Sequence, residues 1–164
     1  MKRIDKLYDM KLHDPYMDKS QYKDPTICPS CKLIYHNKRW FWDEDYYKEL
    51  MKDKSKVNFK KCPACRKIED HYPLGIVELV GDYVKENKQE ILNLIKNEAE
   101  YEMKRNPLAR IMNIKETDDG LLIETTTETL AKKLGKAVHK AHQGELEFSF
   151  SDTQKLLRVY WSRE

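Results

Sequence analysis

The chain has 164 residues, of which 36% are charged and 40% hydrophobic, with only five Gly and six Pro. This length allows one large domain or two small ones, and the composition is that of an ordered protein, not of a linker or a disordered tail. No apolar run is long enough to cross a bilayer, and the N-terminus lacks the apolar segment of a secretory signal. We therefore expect a cytoplasmic protein without a membrane partner.

Charge is distributed unevenly along the chain. Residues 1 to 72 carry 17 Lys/Arg and 12 Asp/Glu, whereas residues 73 to 164 carry 14 and 16. The formal net charge of +3 therefore divides into a basic first part and a slightly acidic second part. A basic region favours an anionic partner such as RNA.

The first 72 residues are predicted to form an arm followed by a cysteine-containing unit. Asp14-Pro15 and Asp24-Pro25 disfavour helix, because the residue before proline is pushed towards extended conformations. We predict an extended N-terminal arm over residues 1–25 and a four-cysteine zinc-binding unit over 26–72. Within that unit, Asp43 is expected to cap an inserted helix that ends near Lys54.

The second part of the chain is predicted to begin with a strand and a long helix. The run LGIVELVGD is rich in β-branched residues and suits a strand. Asp82 is expected to cap one helix that continues to about Arg105 and is ended by Asn106-Pro107. Residues 73–107 are therefore predicted to be a strand and a long connecting helix.

Residues 108–164 are predicted to form a ββαββ domain. ARIMNIKET and LLIETTT flank a turn at Asp118-Asp119-Gly120, and ELEFSFS and KLLRVYWSR alternate as a second pair of strands. Between the pairs, a helix capped by Thr127 or Thr129 is expected to end at Gly144. The predicted fold class is thus α+β, with one helix against a four-stranded antiparallel sheet at the C-terminus.

Four cysteines occur as two Cys-x-x-Cys pairs, and they predict a Zn²⁺ site. In a reducing compartment, two such pairs favour four thiolate ligands over disulfides. Four cysteines leave no open position for a catalytic water. His36 in place of Cys31, or His71 in place of Cys65, remains an alternative ligand. The predicted metal ligands are Cys28, Cys31, Cys62 and Cys65.

Two basic regions are candidate binding surfaces for RNA or another partner. Cations can neutralise phosphates while aromatic rings stack on unpaired bases. The alternative is that the aromatic side chains form the core of a small zinc unit and that the lysines form an ordinary solvated face. The candidates near the cysteines are Tyr35, His36, Lys38, Arg39, Trp40 and Arg66. The candidates on the C-terminal helix are Lys132, Lys133, Lys136 and Lys140.

The sequence contains no recognisable catalytic motif. It has no Ser-His-Asp order, no paired catalytic carboxylates, no phosphate-binding glycine loop and no His-Glu-x-x-His. We therefore predict that the protein is not an enzyme.

A succession of short motifs suggests a family. In chain order these are DPY, DPTICPSC, YHNKRW, CPAC, RKIED, YPLG, NPLARI, DDG, TTT, LAKKLGKAVHKAHQGEL and VYW. In this succession, from about Asp14 to Arg163, the chain resembles small bacterial zinc proteins. Those proteins are related to the archaeal and eukaryotic ribosomal adaptors named for nonsense-mediated decay. The resemblance implies that the four cysteines are ligands and that the large ribosomal subunit is the partner.

The chain also departs from the larger relatives in this family. It carries one set of four cysteines where they carry two, and it lacks their long C-terminal extension for nuclear export. The resemblance therefore does not imply a role in export.

Three functional hypotheses follow from the sequence. The first is a non-enzymatic zinc protein that binds structured RNA, above all the ribosome, as an assembly or stress-state factor, with ribosomal proteins as further contacts. The second is a zinc-stabilised protein-protein interaction module that does not bind RNA. The third is a redox-responsive thiol switch.

Overall fold

The computed structural model describes residues 14–17 and 22–164, and within them the chain divides into two compact units. We call Pro15–His71 the cysteine unit and Tyr72–Glu164 the C-terminal unit. The predicted α+β fold class is confirmed, with five α-helices and two sheets in the described part of the chain. No helix in that part is long and apolar enough to cross a membrane.

The cysteine unit is built on a small sheet with the strand order β3-β2-β1-β4. Strands β2 and β3 form an antiparallel hairpin, β1 pairs antiparallel with β2, and β4 runs parallel to β1. The strands are β1 (Thr26–Ile27), β2 (Ile34–His36), β3 (Arg39–Phe41) and β4 (Asn58–Phe59), and the helices are α1 (Glu44–Met51) and α2 (Pro63–Asp70).

Helix α1 is the predicted insertion between the cysteine pairs. Asp43 caps it by accepting a hydrogen bond from the Tyr46 backbone N–H at 3.0 Å, as predicted. The helix packs its apolar side chains against a small core of Ile27, Ile34 and Val57. A core of this size is small, and small units commonly depend on a metal ion or another cross-link for stability.

Part of the predicted N-terminal arm folds onto the cysteine unit. Pro15–Met17 forms one turn of 3-10 helix, and Tyr22 is buried and donates a hydrogen bond to the Lys61 carbonyl at 2.8 Å. Among the described residues, this region therefore packs closely and is not a free extended arm. The rest of the predicted arm, residues 1–13 and 18–21, lies outside the described residues.

The C-terminal unit contains a five-stranded sheet with the order β6-β7-β5-β9-β8. The predicted ββαββ succession is present. The strands are β5 (Gly75–Val80), β6 (Ile111–Glu116), β7 (Gly120–Thr125), β8 (Glu145–Phe150) and β9 (Leu157–Ser162), and the helices are α3 (Asp82–Glu86), α4 (Lys88–Arg105) and α5 (Glu128–His142).

The observed sheet differs from the predicted one because it includes strand β5. It lies in the centre, antiparallel to β7 and parallel to β9, so the sheet has five strands and is mixed where four antiparallel strands were expected. Val77 faces Ile123 on one neighbour and Val159 on the other, and all three are buried. The β-branched composition of β5 therefore reflects a position between two neighbours and against the core.

The long helix is also interrupted where one continuous helix was expected. Asn87 has φ −120° and ψ 25°, which ends α3 before α4 begins. Helix α5 begins at the predicted cap, since Thr127 accepts a hydrogen bond from the Leu130 backbone N–H at 3.1 Å. Ile91 and Ile95 of α4 share one core with Leu134 of α5.

Gly75 at the start of β5 provides a test of this packing. A Cβ at this position would overlap the Cβ of Ala131 and Oγ1 of Thr125, and would lie 3.0 Å from the Thr127 carbonyl oxygen. Because overpacking in a core costs about 1–3 kcal/mol, we expect Gly75→Ala to lower the free energy of unfolding by about 2 kcal/mol in urea denaturation. Unchanged stability would mean that β5 and α5 are not packed this closely.

Candidate metal centre and the adjoining hairpin

The four predicted ligands come together in one cluster. The Sγ atoms of Cys28, Cys31, Cys62 and Cys65 all lie within 4.8 Å of one another. Cys28 and Cys62 are buried and the other two are partly buried. The Sγ atoms of Cys31 and Cys62, which belong to different pairs, are 3.8 Å apart. The cluster is therefore able to hold a metal ion between the two pairs.

The first pair sits on a tight turn between β1 and β2. The Cys28 carbonyl accepts a hydrogen bond from the Lys32 N–H at 2.9 Å, and the Cys28 N–H donates to the Leu33 carbonyl at 2.8 Å. Lys32 adopts a left-handed conformation with φ 68°. These contacts fold the chain back so that both thiols of the pair point to the same side.

The second pair opens helix α2. Cys62 is the N-cap residue, Pro63 occupies the first helical turn, and the Cys65 N–H points at the Cys62 sulfur at 3.4 Å. Proline is favoured at this position because its fixed φ suits a helix start. The positive end of the helix dipole also favours negative charge on these two sulfurs.

The thiols of the cluster compete for negative charge when no cation is present. Burial raises the pKa of Cys65 to about 11, and negative charge on Cys31 and Cys28 acts in the same direction. The pKa of Cys28 is lowered, because its thiolate accepts hydrogen bonds from Cys31 and Cys62. The pKa of Cys62 is raised, because its thiol donates to Cys28 and Cys31. A bound cation would favour the thiolate form of all four sulfurs, which is the form that binds metal.

Neither of the alternative histidine ligands is part of the cluster. Nδ1 of His36 lies 2.7 Å from Oδ1 of Asp24. His71 ends helix α2 in a left-handed conformation with φ 53°. Among the described residues, the candidate metal cluster consists of the four cysteines alone.

The predicted hairpin next to the first pair is present. Tyr35 of β2 faces Trp40 of β3, and a two-residue loop of Asn37 and Lys38 connects the strands. Both loop residues have positive φ, 53° and 64°, which is typical of a type I′ turn. Glycine is preferred at the second position of such turns, so Lys38 adopts an unfavourable backbone conformation.

Asp24 holds this turn from outside the hairpin. Its carboxylate contacts His36 through one oxygen and accepts a hydrogen bond from the Asn37 N–H at 3.0 Å through the other. Two hydrogen bonds lower the pKa of Asp24. The bond with His36 has the larger effect, and the bond from the Asn37 N–H has the smaller one. The turn that carries Lys38 is thereby tied to the chain just before β1.

An aromatic cluster lies on the face of the hairpin opposite α1. Ring centroids of Tyr22 and Trp40 are 4.8 Å apart at nearly a right angle, and those of Tyr35 and Trp40 are 5.1 Å apart. Arg66 donates a hydrogen bond to the Tyr22 hydroxyl at 3.1 Å. Burial raises the pKa of Tyr22, although the Arg66 hydrogen bond opposes this shift.

The candidate binding residues of the cysteine unit therefore differ in accessibility. Tyr35 is buried, whereas Lys38 and Arg39 are exposed at the end of the hairpin. Arg66 lies 4.9 Å from the centre of the Tyr16 ring and so contributes to packing as well as charge. Trp40 is partly buried and forms part of the aromatic cluster.

The candidate lysines of the C-terminal unit do not form one uniform group. Lys132, Lys136 and Lys140 are exposed. Lys133 instead makes an ion pair with the buried carboxylate of Glu102 on α4 at 2.9 Å. The position of Lys133 is therefore explained by the packing of helix α5 on helix α4.

Two tyrosines in the first part of the chain were missed as site residues. Tyr16 and Tyr22 both line a pocket beside the hairpin, together with Tyr35 and Trp40. The available signal was the recurrence of tyrosine and proline in DPY and QYKDP. That signal gives no partner for either ring, because the contacts are made with residues much further along the chain.

Comparison with known proteins assigns no family. A scan against protein-family models gives no match for this chain, and a search of curated proteins gives none either.

Metal binding by the cluster can be tested directly. We expect about one equivalent of a thiophilic divalent metal per chain and its loss in Cys62→Ser, because a buried tetrathiolate site needs all four sulfurs. Metal analysis and Co²⁺ absorption would measure both. Ser30→Ala, an exposed change in the first turn, is the matched control and should keep its metal. Full metal content in Cys62→Ser would rule out this ligand set.

The strained turn leads to a prediction about stability. Lys38→Gly should raise the free energy of unfolding by about 0.5 to 1 kcal/mol, because glycine adopts positive φ without the steric cost that lysine pays. Asn37→Gly should have a smaller effect, since asparagine tolerates this conformation better. Denaturation of metal-loaded protein would compare the two, and a loss of stability in Lys38→Gly would contradict the prediction.

Proposed function

We propose that the metal is zinc and that it has a structural role. Zinc bound by four thiolates has Zn–S bonds of about 2.3 Å, which places tetrahedral sulfurs about 3.8 Å apart. The distance between Cys31 and Cys62 sulfurs is 3.8 Å. Four protein ligands occupy every position of such a site, so the proposal gives zinc no part in catalysis and the protein a non-enzymatic role.

We further propose that the cysteine unit binds structured RNA. The observation that carries this proposal is the position of Lys38 and Arg39, both exposed on a hairpin that the cysteine cluster and Asp24 hold in place. Cations on a rigid turn contact phosphates with little loss of conformational entropy. Described residues of the unit carry 12 Lys/Arg and 8 Asp/Glu, so they remain basic even with a zinc-tetrathiolate centre of charge −2.

The particular RNA is proposed from the resemblance noted above. The motif succession resembles that of small bacterial zinc proteins, which are related to ribosomal adaptors of the large subunit. The proposed partner is therefore ribosomal RNA, contacted in assembly or in a stress state. The exposed Lys132, Lys136 and Lys140 of the C-terminal unit are a second basic surface for the same partner.

A second candidate function is a protein-protein interaction module. The cysteine unit exposes large apolar side chains, with Trp42 45%, Phe59 46% and Ile68 41% accessible. Exposed apolar side chains mark a protein-interaction surface where they lie together in one patch. Salt separates the two functions, because phosphate contacts weaken steeply as salt rises and apolar contacts do not.

RNA binding is tested by the salt dependence of affinity for ribosomal RNA fragments. We expect the double variant Lys38→Gln and Arg39→Gln to bind more weakly. It should also lower the slope of log affinity against log salt by about 1.4 to 1.8, because each lost phosphate contact removes about 0.7 to 0.9. The matched control is Lys48→Gln with Lys52→Gln, which removes the same charge from exposed positions on and just after α1.

The outcomes separate the candidate functions. Equal loss in both double variants would indicate a non-specific effect of net charge. An absence of RNA binding at low salt would overturn the RNA proposal. Fractionation of polysomes from growing and starved cells then tests the ribosome itself, and a protein that never sediments with ribosomal particles would overturn that part.

A further inference from the structure

A small pocket opens on the aromatic side of the hairpin. It is lined by four aromatic rings and three other side chains, and its volume is about 30 Å³. The lining residues are Tyr16, Met17, Tyr22, Tyr35, Lys38, Trp40 and Pro63. This space accepts the edge of one planar group, and it is too small for a helix or an extended peptide segment.

The rings of the pocket are fixed before any ligand arrives. Tyr22 is held by its hydrogen bonds to Lys61 and Arg66, and Trp40 packs edge-on against it at 4.8 Å. Met17 and Lys38, which are both exposed, border the pocket. Tyr22 and Trp40 are therefore held by contacts within the cysteine unit, whereas long side chains border the space that a ligand would enter.

The charges around the pocket decide between an anionic and a cationic ligand. Lys60 and Arg66 lie 5.2 Å and 4.9 Å from the ring centres of Tyr22 and Tyr16. The electron-rich faces of these rings thus already carry cations, and Lys38 adds a third positive charge on the wall. Asp70 accepts a hydrogen bond from the Tyr16 hydroxyl at 2.7 Å, which holds this carboxylate at the ring edge and not over a ring face. A quaternary ammonium ligand would meet like charge, whereas a planar group attached to a phosphate would not.

Lys38 supplies an independent observation. It lines the pocket and also occupies the turn position with φ 64°, where glycine is preferred. Unfavourable backbone conformations of this kind cluster at functional sites, where the function needs a side chain that glycine lacks. A lysine placed there aims a cation at whatever group enters the pocket.

We propose that this pocket binds one unpaired nucleotide of RNA, with the base edge among the aromatic rings and its phosphate on Lys38. The proposal rests on the RNA binding proposed above and specifies its chemistry. Contacts between aromatic rings and bases tolerate any base, so the pocket selects unpaired over paired nucleotides and does not select a sequence. A structured RNA would then be recognised where a loop or bulge exposes a base.

The test uses a single-stranded RNA of about eight nucleotides that carries one 2-aminopurine. Its fluorescence is quenched when the base comes into contact with a tryptophan or tyrosine ring. We expect quenching by the metal-loaded protein and weaker binding of a blunt duplex of the same length. Lys38→Gly should reduce affinity about five- to tenfold and lower the salt slope by about 0.7, because one phosphate contact is lost.

Asn37→Gly is the matched control. It relieves the backbone of the same turn but keeps Lys38, and its backbone N–H still reaches Asp24. It should bind like the natural sequence. Equal loss of affinity in the two glycine variants would attribute the effect to the turn and overturn the role of Lys38.

A second readout follows the pocket itself. Trp40→Leu should weaken binding about tenfold. In the unaltered protein, the indole N–H resonance of Trp40 should shift with RNA while that of the fully buried Trp161 does not. The resonance keeps the test decisive if Trp40→Leu does not fold.

The remaining outcomes distinguish the two proposals. RNA binding without quenching, with Trp40 unshifted and Lys38→Gly unaffected, would overturn the pocket and leave RNA binding in place. If neither the unaltered protein nor any variant binds RNA, both the pocket proposal and the RNA-binding proposal are overturned. A Trp40 shift on adding tetramethylammonium, without one on adding RNA, would replace the nucleotide with a cationic ligand.

Discussion

The four converging thiols are the constraint on which the cysteine unit depends. Their sulfurs lie within 4.8 Å of one another, and a bound cation would favour the thiolate form of all four. The hydrophobic core of Ile27, Ile34 and Val57 is small, so a metal ion held between the two cysteine pairs would join elements that burial alone holds weakly. The turn after β1 and the start of α2 meet at this cluster.

The position of the hairpin follows from that constraint. Its two faces are used differently: one packs on α1, and the other contributes Tyr35 and Trp40 to the aromatic cluster. Asp24 ties the turn to the chain before β1. The exposed cation of Lys38 is thereby presented on a rigid frame, at a backbone position that works against stability. Stability and the proposed binding thus make opposite demands on one residue.

The C-terminal unit is stabilised in a different way. Its core contains buried side chains from the central strands and from α4 and α5, and Trp161 is completely buried. Charged residues are used within it as well, since Lys133 neutralises the carboxylate of Glu102, which is almost fully buried. An ion pair of this kind is costly to break, because the remaining charge would be buried without its partner. This unit does not need a metal to account for its fold.

The sequence by itself determined the features whose causes are local. The two Cys-x-x-Cys pairs, the caps at Asp43 and Thr127, and the hairpin around Gly120 each depend on residues a few positions apart. Proximity of the two pairs also followed, since metal chemistry supplies the missing long-range contact.

Only the tertiary structure decided the rest. The central position of β5, parallel to β9 and about eighty residues away in the chain, cannot be read from a periodic pattern, because alternation gives the buried face of a strand but not its neighbours. The contacts of Tyr22 with Trp40 and of Lys133 with Glu102 have the same origin. In each case two distant segments are brought together by packing, and no local preference in the sequence records the pairing.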